Sequence, residues 1–292
     1  MGTPQSHIYS RERGPIPTST LQTELSRITA IWPKRVYVQW ILRNPGPGET
    51  FVFQLYRSGS SEGPWEQIGT DLTDQYSFLD TDFTSSYSTR GAGLMSLTRT
   101  VYYKLTVAGS TGSTAEVTKP LEAGLDRRRK GIRRKLIRDA GVLLEKITGS
   151  EMAVLKRKRW GAPCTYCQSS TGQSVRAHCG YCHGTGILGG YWNPVYGFAQ
   201  ISRKVNPVQV STEPSGKVET HRTEVLMLDV PQVEHDDVLV FLRGNKRFKI
   251  LDFIPTQLQT VPVHQELIVT ELARSASEHK IIVDDVHSPG WF

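Results

Sequence analysis

The 292-residue sequence has only 4 cysteines and no apolar run near the roughly 20 residues needed to cross a bilayer. Its longest apolar run, Val238–Leu242, has the length of a strand. The first residues lack the apolar segment of a secretory signal. Hydrophobic residues make up 38% of the chain, which argues against disorder. We therefore expect a folded protein with no membrane partner and with room for two or three domains.

The sequence also lacks the short motifs of common enzyme classes. HExxH, a Walker A loop and a GxGxxG after a strand are all missing. His235, Asp236 and Asp237 form the one dense group of histidine and acidic residues, and they directly precede an apolar strand, where acids commonly occupy a turn. We therefore predict a protein that is not an enzyme and has no small-molecule substrate.

Glycine and proline are frequent, at 26 and 16 residues, and they indicate many turns and mainly β structure. Between residues 29 and 120, alternating apolar residues bounded by turn-forming segments predict about seven strands and a β-sandwich. The stretches that resemble a fibronectin type III domain are VYVQW (36–40), FVFQLYRSGSSEGPWEQIG (51–69), FLDTDF (78–83) and VYYKLTV (101–107). The resemblance implies that Trp40 lies in the core and that Tyr103 occupies the tyrosine-corner position.

Residues 121–159 predict a basic helical segment. Its apolar residues recur at steps of three and four, as expected for one helix face: Ile132, Leu136, Ala140, Leu143 and Ile147. Asp126 is suited to cap the start of the helix, and Gly149 to end it. We expect a second short helix from Ser150 to about Lys158.

The positive charge of the chain is concentrated in this segment. Residues 126–159 hold 13 basic and four acidic side chains, a net charge of +9, whereas the other residues together carry −2. We predict contact with phosphate groups or with an acidic partner, the alternative being a solvated helix face. The candidate contact residues are Arg127, Arg128, Arg129, Lys130, Arg133, Arg134, Lys135 and Arg138.

All four cysteines lie in two CxxC pairs, Cys164 with Cys167 and Cys179 with Cys182. Each pair can bind one side of a tetrahedral ion, and four thiolates suit a structural Zn²⁺ site in a reducing compartment. The alternatives are free thiols, an Fe–S cluster or a redox pair. His178 and His183 flank the second pair and are alternative ligands.

The second cysteine pair has a partial likeness to a chaperone motif. The stretch CGYCHGTG (179–186) resembles the CxxCxGxG repeat of J-type chaperones. However, the chain has a single such repeat and no HPD motif, so a chaperone function does not follow.

The second half of the chain returns to strands, with a hairpin turn at Arg243–Lys246. The stretch EHDDVLVFLRGNKRFKILDFIPTQLQTVPVHQELIVTELAR (234–274) resembles the small β-barrel of head-completion neck proteins, the stoppers and connectors of tailed phages. The order of basic helix, KRKRW, two CxxC pairs and GGYWNP also resembles phage structural open reading frames. The resemblance implies a virion protein that is made in the host cytoplasm and located at the head–tail junction. It also implies a ring of identical copies that contacts portal or adaptor and tail proteins, with loose contact to channel DNA.

The predicted fold is therefore mainly β and multidomain. Its parts are an N-terminal arm (1–28), a fibronectin III-like sandwich (29–120), the basic helical segment (121–159), a zinc knuckle (160–192), a stopper-like β-barrel (193–275) and a C-terminal tail (276–292). The tail ends in Trp291 and Phe292, which we expect to contact a neighbouring subunit during assembly. Alternative functions are a nucleic-acid-binding zinc-ribbon protein, a tail or baseplate adaptor, and a chaperone-like zinc protein.

Overall fold

The computed structural model describes residues 21–31, 35–46, 48–73, 75–81, 100–167, 179–205, 209–213, 216–220, 222–258 and 261–283. The described chain is mainly β, as predicted, and contains a single α-helix. The first strand already begins at Gln22, inside the predicted N-terminal arm. This part of the arm is ordered because it pairs along its whole length with the following strand.

Seven strands form the first half of the chain. They are β1 (Gln22–Ile31), β2 (Arg35–Arg43), β3 (Phe51–Ser58), β4 (Glu66–Thr73), β5 (Ser77–Asp80), β6 (Tyr102–Gly109) and β7 (Thr114–Pro120). One antiparallel sheet has the order β1-β2-β5 and the other the order β4-β3-β6-β7. The two sheets share one core, since apolar residues from both belong to the same buried cluster.

Trp40 is central to this core, as predicted. It is 2% exposed, and its ring centroid lies 5.3 Å from that of Phe53 on the opposite sheet. Tyr103 is fully buried, but its hydroxyl donates to the carboxylate of Asp80 at 2.8 Å, where a tyrosine corner would bond to backbone. Asp80 also accepts two hydrogen bonds from the buried guanidinium of Arg57. The ion pair of Arg57 and Asp80 thus supplies the hydrogen-bond acceptor that backbone supplies in a tyrosine corner.

Helix α1 (Arg127–Leu143) begins where the sequence predicts. The Asp126 carboxylate accepts a hydrogen bond from the backbone N–H of Arg129 at 2.8 Å and so caps the first turn. The last turn widens into a π-helical segment, Leu144–Thr148, and Gly149 follows it. The predicted cap and the predicted end are both confirmed.

The buried face of the helix differs from the predicted one. Its members are Arg133, Ile137, Ala140, Gly141 and Leu144. Leu143 and Ile147, which were expected to be buried, are 46% and 75% exposed. The apolar pattern misplaces the face because its first buried member, Arg133, is charged.

The chain from Ser150 to Leu155 is strand β8, so the predicted second helix is wrong. Residues in β8 pair with two strands that lie far away in sequence, and this long-range pairing overrides any local helical preference. The remaining strands are β9 (Val195–Val205), β10 (Gln209–Glu213), β11 (Gly216–Thr220), β12 (Arg222–Leu228), β13 (Val238–Phe241), β14 (Lys246–Leu258) and β15 (Val261–Glu271).

Six of these strands close into a β-barrel with the order β12-β15-β14-β13-β8-β9. Strands β10 and β11 form a separate two-stranded hairpin between β9 and β12. The predicted turn between β13 and β14 is confirmed, with positive φ at Gly244 and Asn245. The barrel starts at β8, so the chain from Lys156 to Pro194, which includes both cysteine pairs, is an insertion between its first two strands.

The first-half sheets, the helix and the barrel meet in a common interface. One apolar cluster combines Ile31 and Tyr37 from the first sheet with Ile137 from α1 and Val263 from the barrel. The side-chain amide of Gln39 also donates to the carbonyl of Gln232, and its oxygen accepts from the N–H of the same residue. The interface fixes how these elements pack around the cysteine insertion.

Candidate metal centre

The four cysteines form a compact buried cluster. Their sulfur atoms all lie within 4.8 Å of one another, and all four side chains are at most 9% exposed. The Cys164–Cys179 and Cys167–Cys182 sulfurs are 3.9 and 3.3 Å apart. Sulfurs that bind one tetrahedral ion at about 2.3 Å lie about 3.8 Å from each other. The predicted ligand set is therefore positioned to bind a metal ion.

Tight turns hold the sulfurs in place. The N–H of Cys164 donates to the carbonyl of Gly186 at 2.8 Å, and the N–H of His183 donates to that of Cys179 at 2.9 Å. Gly190 has φ +65°, and a Cβ there would lie 2.5 Å from the carbonyl oxygen of Cys182. Only glycine fits at this position, so the glycine-rich sequence after the second pair serves the turn.

His183, which follows the second pair, is not part of the ligand set among the described residues. The imidazole Nδ1 of His183 lies 2.9 Å from the carbonyl oxygen of Ser277. His183 therefore connects the cysteine insertion to the C-terminal segment. His178 lies outside the described residues.

The local environment shifts the pKa values of two of the thiols, those of Cys164 and Cys179, in opposite directions. Burial raises the pKa of the Cys164 thiol. Hydrogen bonds, the strongest from the Cys167 thiol, lower the pKa of Cys179 to about 6. Of these two cysteines, Cys179 therefore offers a thiolate, the form that binds a metal, more readily at neutral pH.

Aromatic residues attach the insertion to the first-half sheets. The Trp160 ring packs edge-on against Phe51 with centroids 4.9 Å apart, and it lies 4.4 Å from the ring of Trp192. Lys158 and Gly190 connect the two ends of the insertion by a backbone hydrogen bond of 2.9 Å. The cysteine cluster thus lies on a rigid base that contacts both the sheets and the barrel.

The C-terminal segment packs on the same base. Residues Ser277–Lys280 form a 3-10 turn, and the buried guanidinium of Arg247 donates to the carbonyls of Glu278 and Ile281. The tail predicted for residues 276–292 is thus part of the fold as far as residue 283. The sequence gives no signal for this, because Arg247 follows a hairpin turn and has the appearance of a solvent-facing residue. Trp291 and Phe292 lie outside the described residues.

Two of the predicted basic contact residues are engaged inside the protein. Arg133 is 2% exposed and forms ion pairs with Asp229 at 3.0 Å and with Glu122 at 3.6 Å. Arg134 pairs with Glu122 at 2.8 Å. Arg133 cannot contact an outside partner, because β1 and the barrel cover it. The prediction for this residue is wrong.

Arg133 belongs to a buried ionic cluster that the sequence did not reveal. The two oxygens of Asp229 accept from Arg27 and Arg133, each at 3.0 Å. Burial raises the pKa of Asp229 and lowers the pKa of Arg133, in each case against the effect of the ionic partner. The cluster joins strand β1, helix α1 and the barrel, and its members are too far apart in sequence to be recognised by spacing.

The start of α1 retains a basic surface. Arg127, Arg128, Arg129 and Lys135 are exposed, and Lys130 is half-buried. Arg129 lies 3.5 Å from Asp126, and Arg138 pairs with the adjacent Asp139. Among the described residues, no acidic side chain is within ion-pair distance of Arg127, Arg128, Lys130 or Lys135. Of the predicted contact residues, those in the first turn of α1 therefore stay available to an outside partner.

The group of histidine and acidic residues at 235–237 has a structural role in the described chain. Asp237 is fully buried, and its carboxylate accepts hydrogen bonds from the backbone N–H groups of Arg157 and Glu234. Burial raises the pKa of Asp237 to about 6. Buried Lys156 lies 3.7 Å from it. These contacts fasten the base of the cysteine insertion to the loop before β13.

No helix in the described part of the chain has the length and apolar character needed to span a membrane. Compared with known proteins, the chain matches no family model, and no curated protein matches it in sequence.

Proposed function

We propose that this chain is a structural protein of the head-to-tail connector, or neck, of a tailed bacteriophage. Identical copies form a ring between portal and tail, and the protein has no enzymatic activity. The observation that carries the proposal is the closed barrel. The stretch 234–274, on which the neck resemblance rests, folds as its three consecutive antiparallel strands β13, β14 and β15.

The two first-half sheets also support the proposal, in which they form a fibronectin III-like module of the subunit. Their three-on-four arrangement and their single shared core are those of a β-sandwich. They contact the helix and the barrel through buried apolar and ionic contacts.

We further propose that the metal is a structural Zn²⁺ held by Cys164, Cys167, Cys179 and Cys182. Four sulfur ligands fill a tetrahedral shell and leave no position for a reacting water. Such an ion stabilises an insertion too small to have its own apolar core. Elemental analysis of freshly purified, reduced protein should find about one zinc per chain. Iron with acid-labile sulfide, or no metal, would contradict this assignment.

Localisation in the particle tests the neck proposal. Antibody against the chain, applied to purified phage particles and viewed by electron microscopy, should label the head–tail junction. Labelling of the tail tip would favour the baseplate adaptor, and absence from the particle would exclude a virion role. A peptide-blocked antibody provides the control for nonspecific attachment.

A second function, nucleic-acid binding, is favoured by one observation: Arg127 and Arg128 at the start of α1 are exposed and have no acidic side chain within ion-pair distance among the described residues. If they bind DNA, the purified protein should bind duplex DNA with an affinity that falls steeply as salt rises. Weak binding without that salt dependence would leave an acidic protein surface as the partner of these residues. Loose contact with channel DNA is compatible with the neck proposal, whereas tight sequence-specific binding is not.

A further inference from the structure

The solvent-facing side of α1 is both basic and apolar. Arg128, Lys135 and Val142 follow one another at intervals of seven residues, so they lie on the same side of the helix after every two turns. All three are exposed, Val142 to 38%, and the adjacent Leu143 is 46% exposed. We refer to Arg128, Lys135, Val142 and Leu143 as the helix surface.

The outer face of the barrel carries a surface that is acidic and apolar. Ile254 on β14 is 52% exposed, and the residue opposite it on β15 is the exposed Glu266. Asp252, two residues before Ile254 on the same face, is also exposed and lies opposite the half-buried Ile268. Side chains of opposite residues on one sheet face are about 5 Å apart, so these four form one patch. We refer to Asp252, Ile254, Glu266 and Ile268 as the barrel surface.

The charges of both surfaces are available to a partner. Among the described residues, neither the two basic residues of the helix surface nor the two acidic residues of the barrel surface has an opposite charge within ion-pair distance. A neighbouring residue of opposite charge on each element is engaged elsewhere, since Asp139 pairs with Arg138 at 2.7 Å and Lys249 pairs with Asp236 at 2.8 Å. Each surface therefore combines exposed apolar side chains with charges that match those of the other.

We propose that the helix surface of one copy of this chain docks on the barrel surface of another copy. The two basic residues approach the two carboxylates, and the exposed aliphatic side chains of both surfaces are removed from water together. A single chain carries both surfaces, so the contact repeats from copy to copy, as a closed ring requires. As the subunit contact of that ring, this inference rests on the proposed function, although the purified chain alone tests it.

Two charge-reversed forms of the full-length protein test the contact. One form carries Arg128→Glu and Lys135→Glu, and the other carries Asp252→Lys and Glu266→Lys. In sedimentation velocity at low salt, the wild-type chain should self-associate as its concentration rises. Each reversed form alone should self-associate on the order of tenfold more weakly, because like charges then meet. An equal mixture should associate again, since the acidic helix surface of one form fits the basic barrel surface of the other.

The matched control reverses the same amount of charge elsewhere. Arg243 and Lys246 are exposed at the turn between β13 and β14, and their change to glutamate should leave self-association as in the wild type. A wild-type chain that stays monomeric up to its solubility limit would overturn the proposal. So would reversed forms that associate like the wild type, or a mixture that does not recover. If a reversed helix form does not fold, Arg128→Gln with Lys135→Gln replaces it and should still weaken self-association.

The outcome is distinguishable from that of the neck proposal. Recovery in the mixture, together with no antibody label on purified particles, would leave this contact standing and exclude the neck function. A label at the head–tail junction without recovery in the mixture would support the neck function and overturn this contact.

Discussion

At the residue scale, the features that organise this protein are buried charges. Asp229 lies between Arg27 and Arg133, and Arg133 also approaches Glu122. Such groups lose their hydration when buried, and their mutual attraction offsets that cost only while every partner is present. The cluster therefore specifies how the elements pack more than it stabilises them. A charged residue of this cluster that loses its partner remains buried without a counter-charge, which lowers the stability of the fold.

Arg133→Ala should consequently destabilise the protein by about 3–5 kcal/mol, since it removes one of the two guanidinium partners of each of two buried carboxylates, Asp229 and Glu122. Urea unfolding followed by tryptophan fluorescence measures this change. Arg128→Ala is the matched control on the same helix, because Arg128 is exposed. It should alter the free energy of unfolding by no more than about 0.5 kcal/mol. Equal effects of the two variants would show that Arg133 is not the central residue of the junction.

At the element scale, local patterns predict strands whose neighbours follow closely in sequence. The alternation around Trp40 and the turn at Gly244 are confirmed because each depends on adjacent residues alone. Strand β8 escapes prediction because its partners begin at Val195 and Val238, on the far side of the cysteine insertion. The face of α1 is misplaced for a related reason, since Arg133 is buried by partners that no local pattern contains. The cysteine ligands, by contrast, are predictable because metal geometry constrains their spacing directly.

The cysteine insertion should loosen when its ion is removed. Cys164→Ser should lose the metal and increase amide hydrogen exchange between residues 179 and 192, because short turns without a core depend on the ligand bonds. Exchange in the core strands β2, β3 and β6 should remain slow, since their cluster contains no cysteine. Ser60→Ala, in an exposed turn of the first-half sheets, controls for the loss of one small polar group. Uniformly faster exchange throughout the chain would mean that the ion supports the entire fold.

At the scale of the whole molecule, the elements form a continuous chain of contacts. Trp160 links the cysteine insertion to the core of the first-half sheets, Arg247 links the barrel to the C-terminal segment, and the Asp229 cluster links β1, α1 and the barrel. Deletion of residues 276–292 would therefore uncover the buried guanidinium of Arg247, and would not simply remove a free tail. If the chain assembles as we propose, the start of α1 is one of its exposed surfaces available for contact.

Among the described residues, the positive charge of the first turn of α1 is offset only by the ion pair between Arg129 and Asp126. Arg127, Arg128 and Arg129 are exposed, and their positive charge lies at the helix start, where the helix dipole disfavours it. In the proposed ring, an anionic surface on a neighbouring protein would offset that cost. Changing all three to glutamine should weaken incorporation of the subunit into particles, most strongly at low salt, where the attraction that these charges supply is least screened. Quantitative mass spectrometry of particles assembled at several salt concentrations measures the loss.

The matched control removes the same charge elsewhere. Arg243, Lys246 and Arg274 are exposed near the barrel turn and the C-terminal segment, and their change to glutamine lowers the net charge equally. If both triple variants lose incorporation to the same extent, net charge governs assembly and the helix is not a specific contact. If both assemble normally at every salt concentration, the basic turn is a solvated surface. Only a loss confined to the helix variant, with unchanged thermal unfolding, supports docking through the start of α1.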